Sequence, residues 1–172
     1  MIKIGITGSL ASGKSTVAKL MSRNRHPIFS ADQAVKSFYK KRIFINKVKN
    51  IIKKNKKALK QLELIIHPLV RREMRAFMKP KKNIKIKIFE IPLLIESKLT
   101  KYFDVIVFVG AKKNIRLKRY VSTGGDKKIF TILEKRQNKP SKKIKISDHV
   151  IYNNQSIKNL KKNVKFLMNK YE

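Results

Sequence analysis

Gly8-Ser9-Leu10-Ala11-Ser12-Gly13-Lys14-Ser15-Thr16 spells G-x-x-x-x-G-K-S, the pattern of a loop that wraps phosphate groups. Short Gly/Ser/Lys patterns arise by chance, so the flanking sequence has to carry the assignment. Upstream, Met1-Ile2-Lys3-Ile4-Gly5-Ile6-Thr7 is rich in β-branched residues and reads as a buried first strand. Downstream, Val17-Ala18-Lys19-Leu20-Met21 continues at helical spacing. Strand, glycine loop and helix form the context the motif requires. A plain surface turn with a solvated Lys14 would need none of it.

The chemistry follows from the backbone. Gly8 and Gly13 let the chain curl, so that successive N–H groups, through Ala11, Ser12 and Thr16, can face one concavity. The N-terminus of the following helix adds partial positive charge. Lys14 is placed to reach the β- and γ-phosphates of a nucleotide, and the Ser15 hydroxyl to meet Mg²⁺.

Composition narrows the class. The 172 residues suggest one domain with a sizeable core, and the hydrophobic share of 42% supports a globular fold. With no cysteine, there is neither a disulfide framework nor a thiolate zinc site. No apolar run is long enough to span a bilayer, and the first strand starts at once, so a soluble cytoplasmic protein is expected. The formal net charge is +34, from 44 Lys+Arg against 10 Asp+Glu. Such a balance ordinarily points to nucleic acid. Here the excess is mostly lysine spread along the whole chain, without the aromatic-plus-basic clusters that stack bases. It reads as a compositional drift of the surface, with no specific nucleic-acid partner expected.

Along the chain, strands are expected at residues 1–7, 27–30, 83–91, 103–109 and 149–152, with helices between them. That pattern gives an α/β sandwich on a five-stranded parallel sheet. The helices are placed at 14–23, 33–41, 67–78, 112–121, 127–138 and 157–171, with two further helices over 43–63, broken near Asn55. The start at His67 rests on Pro68, which a first helical turn tolerates. Asn138 to Lys145 reads as a charged linker.

Asp32 falls at a strand-to-helix junction. It is either a helix cap or a carboxylate presented at the C-terminal edge of the sheet, where open α/β folds bind ligands. Glu90 and Glu96 flank the end of the third strand. An acid there is the usual second anchor for Mg²⁺ or its waters, unless it merely pairs with a lysine. Arg71, Arg72 and Arg75 share a helix, where guanidinium groups suit phosphate. Ser122-Thr123-Gly124-Gly125-Asp126 reads as a hinge between two basic helices, with Arg119 before it and Arg136 beyond, either a lid over phosphates or an ordinary helix-turn-helix connection.

In addition to its loop, the chain resembles the dephospho-coenzyme A kinase family over nearly its full length. Ser30-Ala31-Asp32 is similar to that family's Asp-Ala-Asp motif, His67-Pro68-Leu69-Val70-Arg71 to its His-Pro-Leu segment, and Ile91-Pro92-Leu93-Leu94-Ile95-Glu96 to its Pro-Leu-Leu-x-Glu signature. Gln137 and Asp148-His149-Val150-Ile151-Tyr152-Asn153-Asn154 are similar to its C-terminal pattern. The resemblance implies a single P-loop kinase domain over 1–172, with a substrate-side helical region at about 33–79 and a lid at about 112–138. It implies ATP and Mg²⁺ as cofactors, dephospho-CoA as the small-molecule substrate, and a monomer or weak oligomer.

The same resemblance makes Asp32 the base for the ribose 3′-hydroxyl and puts Arg119, Arg136, Asn153 and Asn154 on ATP. It puts His67, Arg71, Pro92, Leu93 and Glu96 on the substrate side, while the loop and the strand end place Ser15 and Glu90 at the metal. Ser30 and Tyr152 each stand where the family has Asp, and the segment between Asp32 and His67 is shorter than the family's. Two rivals share the loop: another kinase of the nucleoside-monophosphate type, and a basic nucleic-acid-binding protein on a decayed kinase scaffold. The three further motifs argue against the first, and an intact Gly13-Lys14-Ser15 with Asp32 against the second.

Overall fold

A computed structural model of the chain describes residues 1–40 and 58–172. Its contacts divide the chain into two compact units, one of Met1–Ile28 with Lys82–Glu172 and one of Phe29–Lys81.

The first unit is built on parallel strands β1 (Ile2–Gly8), β3 (Ile86–Glu90), β4 (Val105–Gly110) and β5 (His149–Tyr152). Strand β2 (Ile28–Ser30) joins the edge, with the Ile88 N–H donating to the Pro27 carbonyl at 3.0 Å. The strand order is β2-β3-β1-β4-β5. The chain thus starts at the centre of the sheet, with Ile6 beside both Glu90 and Val107. Alternation assigns the faces. Ile4 and Ile6 pack with Ile86, Ile88, Val105, Val107 and Val109 under helices α1 (Lys14–Ser22) and α7 (Ile157–Met168), which bury Val17, Met21, Leu160, Val164 and Leu167. Burying such residues is the main favourable term in the fold, about 1.5–3 kcal/mol each. On the opposite face, the Phe89 and Phe103 rings meet edge-on at 5.3 Å.

Two aspartates finish the strand ladder. Asp104 Oδ2 accepts from the Lys3 N–H and Asp148 Oδ2 from the Ile106 N–H, both at 2.7 Å, while their own N–H groups donate to the Lys3 and Ile106 carbonyls. Each supplies the acceptor that the strand start lacks.

In the second unit, α2 (Ala31–Tyr39) and α3 (Ala58–Met78) pair through Phe38, which is buried against Ile65, Ile66, Leu69 and Val70. The Phe29 and Phe77 rings lie 5.8 Å apart. The expected helix start at His67 is corrected: α3 runs through Pro68. Proline inside a helix forfeits one hydrogen bond and costs about 3 kcal/mol. Leu64, whose carbonyl loses its donor, is 74% exposed, so water can take the N–H's place. The break expected near Asn55 lies outside the described residues.

The remaining helices are α4 (Lys113–Ser122), α5 (Lys127–Arg136) and α6 (Pro140–Ile146). The last corrects the linker expected at Asn138 to Lys145. Pro140 occupies its first turn, where the missing N–H costs nothing, and Lys143 is 1% exposed with a carboxylate partner. A lysine-rich segment hid one lysine that faces inward. The strand expected from residue 83 begins only at Ile86, and the helix expected to reach 138 ends at Arg136. Among the described residues, no helix is long and apolar enough to cross a membrane.

Candidate active site

The loop leaves the end of β1 and closes on the N-terminus of α1, as the sequence requires. Its two glycines answer to sterics. A Cβ on Gly8 would stand 2.1 Å from the Val109 carbonyl oxygen of the neighbouring strand. Gly13 has φ +92°, and a Cβ there would meet Asn153 Nδ2 at 2.3 Å. Between them, Ala11 holds φ +55°, a left-handed conformation that costs an alanine about 1–2 kcal/mol. The surrounding contacts must hold that shape.

Those contacts come from the far end of the chain. The Ser12 carbonyl accepts from Asn153 Nδ2 at 3.0 Å, and Arg119 Nη1 lies 3.5 Å from it. Arg119 Nη2 donates to the Asn153 carbonyl at 3.1 Å, and the Asn153 N–H to the Gly110 carbonyl at 2.8 Å. Asn153 is 8% exposed, so its position is fixed. Arg119 meets no carboxylate among the described residues; its acceptors are backbone carbonyls. Asn154 works one step away: its Oδ1 accepts from the Lys112 N–H at 2.7 Å, at the entry to α4.

Lys14 is buried and curls back, its ammonium donating to the Ser9 carbonyl at 2.9 Å. Ser15 donates a short hydrogen bond to Glu90 Oε1. This joins the first residues of α1 to the last residue of β3 and brings together the two groups expected at a metal. A hydroxyl and a carboxylate are hard oxygen donors that suit Mg²⁺. Among the described residues, no group of three or more His, Cys, Asp or Glu could hold a metal ion alone. One or two protein ligands completed by phosphate oxygens and water is the habit of Mg²⁺. Ser12 is fully buried, and its hydroxyl has no partner among the described residues.

Beyond β3, the Pro92 carbonyl gathers three elements. It accepts from Thr7 Oγ1 at 3.0 Å and from Lys143 Nζ at 3.2 Å. Lys143 also pairs with Glu96 Oε1 at 2.8 Å, and the Asn138 N–H donates to the same oxygen at 2.9 Å. Burial pushes the Lys143 ammonium below its ordinary value, and Glu96 partly offsets this. Glu96 therefore anchors the segment that carries Leu93, which stands exposed. Glu90, not Glu96, is the acid that meets the loop.

Sequence reasoning missed Arg116. It is 5% exposed and donates to the Ala111 carbonyl at 3.0 Å, the Leu10 carbonyl at 3.2 Å and Glu134 Oε1 at 2.5 Å. Its neighbours Arg119 and Lys118 gave no reason to single it out; an arginine six residues beyond the end of β4 was the only signal. Gln137 takes the Leu10 N–H at 3.0 Å. The loop expected as a hinge is well tied. Gly124 and Gly125 donate to the Val121 and Tyr120 carbonyls, and Asp126 caps α5 by accepting from the Lys128 and Ile129 N–H groups. Arg136 ends α5 and is exposed.

In the second unit, Ser30 takes the N-cap position of α2 without a side-chain cap hydrogen bond, and Asp32 stands exposed in the first turn. Asp32 thus does not hold the cap position itself, although an acid in the first turn still favours the helix N-terminus. His67 is exposed and Arg71 half-buried on α3.

Comparison with known proteins now decides the family. The family description "Dephospho-CoA kinase" matches residues 42–159. The dephospho-CoA kinase of Rickettsia felis is 30% identical over 98% of this chain and 96% of its own. The chain belongs to the dephospho-CoA kinase family. The fold agrees: TT1252 from Thermus thermophilus superposes with a TM-score of 0.79 at 25% identity, covering 99% of this chain and 98% of that one. A dephospho-CoA kinase from Campylobacter jejuni, at 20% identity, shares the fold with a TM-score of 0.63 over 99% and 97%. As a dephospho-CoA kinase family member, the chain is an enzyme, a phosphotransferase built on the nucleotide-binding loop of kinases.

Proposed function

We propose that the enzyme transfers the γ-phosphoryl group of ATP to the ribose 3′-hydroxyl of dephospho-CoA, giving coenzyme A and ADP, in the cytoplasm, as a monomer or weak oligomer. Membership of the family names the substrate. The observation that carries the site is the bond from Ser15 to Glu90 beside a buried Lys14.

In this reading the amides of Ala11 to Thr16 cradle the phosphates. Lys14 turns from the Ser9 carbonyl to the β- and γ-phosphates and offsets the charge of the transferring group. Asp32 accepts the proton as the 3′-oxygen forms its bond to phosphorus and the bond to the ADP oxygen breaks. Ser15 and Glu90 would hold Mg²⁺, which when bound would supply positive charge to the phosphate oxygens. Arg119 and Arg136, from a lid at about 112–138, bind phosphate, and Asn153 and Asn154 serve the ATP side. His67 and Arg71, in the helical region at about 33–79, bind the substrate with Pro92, Leu93 and Glu96.

The test is ADP release by purified protein with Mg-ATP, with dephospho-CoA set against nucleoside monophosphates, adenosine and shikimate. Turnover with dephospho-CoA alone, with coenzyme A as product, is expected. Turnover with another acceptor would move the function to a sister kinase, and folded, ATP-bound protein inert with every acceptor would overturn the reading.

A further inference from the structure

Arg116 has no part in the scheme above, yet its guanidinium makes three hydrogen bonds. Its three acceptors belong to three elements: Ala111 at the entry to α4, Leu10 in the phosphate loop and Glu134 on α5. Its guanidinium also sits 5.6 Å from the centre of the Phe130 ring. Glu134, which Lys113 meets as well at 2.9 Å, cancels much of its charge. Arg116 is therefore ill suited to attract phosphate and well suited to hold backbone.

What it holds is Leu10. The carbonyl of this residue accepts from Arg116, and its N–H donates to Gln137 Oε1. One loop residue thus has its acceptor and its donor both satisfied by the α4–α5 pair, from the first helix and from just past the second. Next to it stands Ala11 in its left-handed conformation, which relaxes wherever the chain is free to do so.

We propose that Arg116 and Gln137 are positioning residues for the nucleotide: they clamp the Leu10 peptide, keep the phosphate loop in its binding shape without nucleotide, and make that shape depend on the placement of the α4–α5 pair. The proposal rests on the reading of Gly8–Thr16 as a nucleotide loop. A preformed cradle binds more tightly because the ligand need not order it. Lysine cannot replace Arg116, since a point charge lacks the planar fork that reaches Ala111, Leu10 and Glu134 together.

The experiment is a titration of wild type, Arg116→Lys, Gln137→Leu and the double variant with a fluorescent ADP analogue, alongside KM for dephospho-CoA and thermal midpoints. Each single variant is expected to weaken ADP by about tenfold, the scale of one lost hydrogen bond. The double variant should be little weaker than the worse single, because both act on one peptide. KM for dephospho-CoA should hold within about twofold. Gln137→Leu leaves the buried cation in place, so it answers even where Arg116→Lys fails to fold. Wild-type ADP affinity in Gln137→Leu, or variants that lose only thermal stability, would overturn the positioning role. A wild-type protein that binds no ADP would overturn the nucleotide reading itself.

Discussion

Asn153 Nδ2 donates to the Ser12 carbonyl at 3.0 Å, joining two residues 141 positions apart, and it fills the space a side chain on residue 13 would need. The glycine of the motif and the asparagine just past the last strand are thus one packing unit. Asn153→Ala is expected to lower stability by about 1–2 kcal/mol, from a lost buried hydrogen bond, and to weaken ATP binding by about tenfold. Denaturant midpoints and nucleotide titrations measure the two effects, and unchanged affinity would show that the loop keeps its shape without this contact.

Lys14 and Asp32 should separate kinetically. Lys14→Ala is expected to cut kcat by about a thousandfold or more, since it removes charge from the transferring group. Asp32→Asn should lower kcat more than it raises KM for ATP, by about a hundredfold, the usual yield of a general base. Near wild-type turnover in either variant would remove that residue from its role.

The pair of Lys143 and Glu96 is buried enough to be tested by halves. Lys143→Met leaves the Glu96 carboxylate without its counter-charge and should destabilise the fold by about 3–5 kcal/mol. Adding Glu96→Gln should recover much of that loss. Urea unfolding of the two variants decides the matter, and a mild single variant would mean that water reaches Glu96.

Glu134 sets an acid limit. Burial acts to raise its pKa, but the hydrogen bonds from Lys113 and Arg116 outweigh it, and the net value lies below the ordinary 4.5. The folded state then binds this proton less readily than the unfolded chain. Its contribution is present above pH 4.5 and is lost as pH falls through the lower folded value. Stability of Glu134→Gln should therefore fall less steeply below that pH than that of wild type, as acid titrations followed by circular dichroism would show.

The strand–loop–helix opening, all five strands and the order of the motifs were legible in the sequence because they depend on local pattern. What was not legible was partnership at a distance. Lys143 looked like any lysine of a basic stretch, and only the position of Glu96 explains why that one faces inward. Arg116 carried no local mark, because its acceptors are mostly backbone carbonyls of other elements. Pro68 misled for the opposite reason: its local rule is sound, but the apolar pairing of Ile65, Ile66, Leu69 and Val70 with Phe38 carries the helix through it.

The distance between Leu10 and its holders also has a meaning in time. A ribosome that has delivered the loop and α1 has delivered none of Arg116, Gln137 or Asn153. A nascent chain shorter than about 153 residues displays the motif without the full set of contacts that shapes it. Full shaping of the loop thus waits for residue 153: a product truncated before β5 keeps the signature in its sequence and lacks the Asn153 contact.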